Sequence, residues 1–166
     1  MELPLNTHLK IGVQTIHRRT EPAEGPWLPS IDEMRELVGL VDACGYDSLW
    51  VGDHIAFAVS ILDPLLQLAQ AAMVSRRLTL GTNVYLLPLR HPVPVAKQVA
   101  TLDHLCEGRL IFGVGVGGEF AQEFAPAACP STSAAPGSRR RSRCCAICGA
   151  ARRRVIAAVT SANSPK

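Results

Sequence analysis

The chain has 166 residues, of which 48% are hydrophobic, 19% charged and 5% aromatic, and its formal net charge is +3. So much apolar material excludes wholesale disorder and suffices for a sizeable core. No apolar run reaches the ~20 residues of a membrane span, and the start MELPLNTHLKIGV lacks the basic and apolar regions of a secretion signal. A cytoplasmic protein is the expectation.

The average charge conceals a division. Residues 125–166 hold Arg139, Arg140, Arg141, Arg143, Arg152, Arg153, Arg154 and Lys166 and no acidic residue, a charge of +8. They also hold Cys129, Cys144, Cys145 and Cys148 and no aromatic residue. Residues 1–124 carry −5. Two regions are therefore expected: a folded domain over 1–124 and a basic, disordered tail over 125–166.

The domain reads as alternating strands and helices. LKIGVQTI (9–16) is β-branched and apolar, which predicts a strand. A polar loop rich in proline follows over 17–29. Ser30 with Glu33 three residues on forms a capping box, and Met34, Leu37, Val38 and Val41 supply a helical apolar stripe that Gly45 ends. DSLWVGDH (47–54) predicts a second strand running into a polar end. Residues 61–74 read as a helix, with Pro64 acceptable only in its first turn. Residues 77–89 predict a third strand, Pro92 and Pro94 open a third helix that Gly108 closes, and RLIFGVGVGG (109–118) is a fourth strand. Cys44 and Cys106 fall at these helices and read as small core residues.

Near-continuous apolar strands alternating with amphipathic helices imply a parallel sheet under helical cover. A doubly wound sheet and a (β/α)8 barrel share that order. The glycines at 113, 115, 117 and 118 invite comparison with a dinucleotide fingerprint, but that belongs after a first strand and opens a helix, which does not follow here. Asp53, His54, Asn83 and the glycines lie at or near the carboxyl ends of strands, where barrel enzymes build their sites. That favours the barrel.

The segments DACGYDSLWVGDH (42–54) and RLTLGTNVYLLPLRHPVPVAKQVATLDHLCEGRLIFGVGVGGEF (77–120) resemble the luciferase-like flavin- or deazaflavin-dependent oxidoreductases over residues 9–124. The resemblance implies the N-terminal half of a (β/α)8 barrel, with four strands and three helices, that binds F420 or reduced FMN at the carboxyl ends of its strands. It implies hydride transfer, or oxygen activation in monooxygenase members. Asp53 and His54 match positions that line the ring pocket and transfer protons, a task for which imidazole has the right pKa range. Asn83–Val84 matches a non-prolyl cis peptide that supports the ring. Gly115, Gly117 and Gly118 match a close backbone approach to the cofactor, and Glu119 stands one residue beyond the position where some relatives carry an acid. Arg90 and His91, before Pro92, read as structural. The resemblance further implies a small-molecule substrate, which the residues do not identify, and relatives that are often homodimers.

A (β/α)8 barrel needs ~200–250 residues, and residues 125–166 do not match the family. A one-nucleotide frame change near residues 124–127 would account for this. Ser138, Ser142, Cys144, Cys145 and Cys148 then mark original apolar positions at helical spacing. The alternative to an enzyme is accordingly a non-catalytic remnant that binds no cofactor. The arginine clusters lack the aromatic interleaving of a nucleic-acid site, and the lone pair Cys145 and Cys148 lacks a second pair for zinc, so neither partner is expected.

Overall fold

The computed structural model of the chain describes residues 9–15, 28–57, 60–117 and 123–124, and the backbone of 155–157. The elements follow the order β1 (Gly12–Thr15), α1 (Ile31–Ala43), β2 (Ser48–Val51), α2 (Pro64–Val74), β3 (Thr79–Leu86), α3 (Pro92–Leu105), β4 (Leu110–Gly115) and β5 (Val155–Ala157). A short 3-10 turn, Leu87–Leu89, separates β3 from α3. The five strands among the described residues are parallel and lie in chain order. This is α/β architecture, and β1 to β4 with α1 to α3 form the first half of a (β/α)8 barrel.

β5 lies within residues 125–166, and its backbone pairs with Phe112, Gly113 and Val114 of β4. A short parallel strand needs only an open edge of backbone donors and acceptors, which β4 presents and which carries no compositional signature. The first strand is shorter than 9–16, because Leu9 and Ile11 are exposed rather than packed.

Local chemistry sets the helix ends. The Ser30 hydroxyl accepts from the Glu33 amide at 3.2 Å, and the Glu33 carboxylate accepts from the Ser30 amide at 2.7 Å. Gly45 follows α1 at φ 80°, a left-handed conformation that favours glycine. The Asp63 carboxylate accepts from the amides of Leu65 and Leu66, and Pro64 occupies the first turn of α2, where no amide is needed. His91 caps α3, its Nδ1 accepting from the Val93 amide. Ser30→Ala is expected to lower the unfolding free energy by about 1 kcal/mol; urea denaturation followed by circular dichroism measures it, and an unchanged midpoint would show that the box contributes nothing.

The helices cover one face of the sheet. Val38 and Val41, Leu65 and Leu68, and Val95, Val99 and Leu102 pack on Leu49, Val51, Leu80, Phe112 and Val114. The opposite face carries Gln14 and Trp50, and a Cβ on Gly12 or on Gly81 would strike the Trp50 indole. Both glycines thus give the ring space to lie across neighbouring strands.

The cysteines at the helix ends differ. Cys106 is fully buried in the core, as expected, whereas Cys44 is exposed at the end of α1, a correction that follows from its position beyond the last buried turn. Burial pushes the Cys106 thiol up to about 11, so almost none is thiolate near pH 8. In the native chain a thiol alkylator should label Cys44 and spare Cys106 until urea is added. Equal labelling rates by peptide mass spectrometry would contradict that burial. Among the described residues no helix is long and apolar enough to cross a membrane.

Candidate functional site

The carboxyl ends of β1, β2 and β3 meet around a cavity of about 220 Å³ lined by Gln14, Gly52, Asp53, His54, Asn83 and Val84. It shares Gln14, Asn83 and Val84 with a larger cavity, about 390 Å³, on the face that holds Trp50. The structure thus brings Asp53, His54, Asn83 and Val84 to one cavity.

The Asn83–Val84 peptide bond is cis, as the resemblance implied. The β3–β4 register shifts between Thr82 and Tyr85, so the strand bulges here. Gln14, which sequence reasoning did not single out, holds this bulge from β1. The Asn83 side-chain amide donates to Gln14 Oε1 at 2.8 Å, and the Gln14 amide donates to the Asn83 carbonyl at 3.2 Å. The pair spans β2 and joins two strands that are not neighbours. A polar residue inside an apolar strand run was the available signal.

Asp53 lines the cavity, but its carboxylate is committed elsewhere. Arg90 Nη1 and Nη2 donate to Oδ2 at 2.5 Å and Oδ1 at 2.8 Å, and the Leu86 amide donates to Oδ2 at 2.8 Å. The Asp53 side chain is fully buried, and the Arg90 guanidinium lies over the Tyr85 ring, 4.2 Å from its centroid. Bidentate pairing of this kind fixes the geometry of both groups. The Asp53 carboxylate therefore ties the end of β2 to the end of β3 through Leu86 and Arg90, and Arg90 makes structural contacts as expected.

His54 has different surroundings. Its Nδ1 lies 3.0 Å from Oε1 of Glu123, and the same oxygen accepts from the Ile55 amide at 3.0 Å. The ring stacks on Phe57 with centroids 4.2 Å apart. The Glu123 side chain is only 3% exposed, against 29% for His54. Phe124 anchors this segment against Leu86 and Leu89. Glu123 was missed by sequence reasoning, which looked for an acid directly after the glycines. Its signal was the Glu-Phe pair beyond them.

Two glycines of the run serve packing. A Cβ on Gly115 would strike the Val84 side chain, and Gly117, at φ 68°, packs beneath the Phe124 ring. Gly118 and Glu119 lie outside the described residues. No group of side chains suited to a metal ion occurs among the described residues.

A family model described as luciferase-like monooxygenase matches residues 9–133. The chain belongs to that family. Among curated relatives, 4-hydroxyprotoasukamycin monooxygenase of Streptomyces nodosus subsp. asukaensis is 46% identical over 83 residues, which are 49% of this chain and 22% of that protein. Limonene 1,2-monooxygenase of Rhodococcus erythropolis is 40% identical over 89 residues, 53% of this chain and 23% of that protein. This luciferase-like chain thus spans under a quarter of the length of those relatives. Among solved structures, the oxygenating constituent of 3,6-diketocamphane monooxygenase from Pseudomonas putida, in complex with FMN, superposes with a TM-score of 0.71 at 22% identity, over 82% of this chain and 38% of that one. The F420-dependent tetrahydromethanopterin reductase of Methanopyrus kandleri superposes with a TM-score of 0.55 at 22% identity, over 73% and 30%. Both likenesses concern the fold.

Proposed function

We propose that this luciferase-like chain contributes one wall of a site for F420 or reduced FMN, in an oxidoreductase that transfers hydride or activates oxygen. The observation that carries the reading is the convergence of His54 and the Asn83–Val84 bulge on one cavity at the strand ends. The bulge presents backbone and a branched side chain to the cavity, a surface suited to the face of a flat ring. Gln14 keeps that surface in place, and the Asp53–Arg90 pair fixes the β2 end from which His54 projects. When bound, the cofactor supplies the redox chemistry. The chain orients it, and His54 exchanges a proton with the substrate or with solvent.

Fluorescence titration of the purified chain with FMN and with F420 tests this. Saturable binding of one cofactor, weakened by Val84→Asp at the bulge, is the expected result. Binding of neither would favour the second reading, a chain that keeps the fold and has no catalytic role.

A further inference from the structure

We propose that Glu123 is a positioning residue that holds the proton of His54 on Nδ1. The inference rests on the proposed oxidoreductase function, in which His54 handles a proton.

The geometry leaves few choices. A backbone N–H can only donate, so Glu123 Oε1 is an acceptor toward Ile55 at 3.0 Å. With that oxygen already accepting, the imidazole nitrogen 3.0 Å from it is assigned as a second donor. A neutral imidazole carries one N–H. Placing it on Nδ1 puts the lone pair on Nε2. Burial strengthens the preference, because a carboxylate that is 3% exposed loses heavily if a donor is withdrawn. Flipping the ring about its Cβ–Cγ bond would exchange Nδ1 for a carbon and forfeit the bond. Stacking on Phe57 holds the ring plane against smaller rotations.

Glu123 comes from beyond β4, whereas His54 comes from the end of β2. Two elements therefore define one protonation state, the arrangement by which a carboxylate orients a histidine that works on something else. A carboxylate serving only to pin the loop would need the Ile55 amide alone.

The experiment is long-range ¹H–¹⁵N NMR on the histidine-labelled chain, at a pH where the rings are neutral. The chain has five histidines, and His54 is assigned by the signal lost in His54→Gln. The proposal expects a pyrrole-type Nδ1 and a pyridine-type Nε2 for His54. Glu123→Gln, whose amide oxygen can still accept, should keep that pattern. Glu123→Leu should exchange the two nitrogen shifts, with the other four histidines unmoved. A wild-type His54 carrying its proton on Nε2 would overturn the proposal outright, whether or not Glu123→Leu folds. So would a Glu123→Leu chain that retains Nδ1–H. No cofactor is present in this measurement, so its failure is distinct from a failure of the cofactor titration.

Discussion

Arg90→Ala is expected to destabilise the chain by about 3–5 kcal/mol, since it strands a buried charge. The Asp53 side chain has no solvent exposure, and Arg90 supplies two of the three donors that satisfy it. Burial works against the Arg90 charge, but the hydrogen bonds and charge of Asp53 outweigh it and raise the arginine pKa. Arg90→Lys should recover only part of the loss, because an ammonium cannot reproduce the two-pronged contact or lie flat over Tyr85. The control is the double replacement Asp53→Leu with Arg90→Leu, which removes both charges together. It should be markedly more stable than Arg90→Ala alone. Urea unfolding of the four chains measures all of this, and an Arg90→Ala midpoint matching the parent would mean that Asp53 finds water or another partner.

Phe112→Ala should cost about 3–5 kcal/mol by a different route, the creation of a cavity. Phe112 is 2% exposed, on β4 between the helices and the sheet, and its ring meets Tyr85 at 5.1 Å in a tilted arrangement. Alanine removes the ring from a cluster whose strands cannot close the gap without breaking their ladder. Phe112→Leu fills most of the volume and should lose only a fraction as much. The two variants share charge and hydrogen bonding, so a similar midpoint for both would show that the β4 face packs loosely.

The alternation of strands and helices was legible because its signals are local. The Ser30–Glu33 box, Pro64 in a first turn and Gly45 after α1 each act within four residues of the chain. The site was legible as a set of positions, since strand ends in a barrel converge whatever the residues are. The roles were harder. Asp53 and His54 are neighbours and look like a pair, yet one is claimed by Arg90 and the other by Glu123. Those partners lie 37 and 69 residues away. No spacing rule reaches across such intervals, because the sheet, not the chain, brings the groups together. Gln14 escaped notice for the same reason, its partner Asn83 being two strands distant.

The sheet runs in the order in which the ribosome makes it. Gly12 pairs with Ser48, 36 residues later, and Ser48 with Thr79, 31 residues later. At bacterial or eukaryotic elongation rates each strand waits roughly 2–7 s for its partner. No strand must be displaced to admit a later one, since every addition occurs at the growing edge. The nascent chain therefore exposes one hydrogen-bonding edge to its future neighbour at a time, and each helix is available to cover its strand before the next arrives. Growth by addition to a finished edge makes this half of the barrel a structure that can assemble during translation.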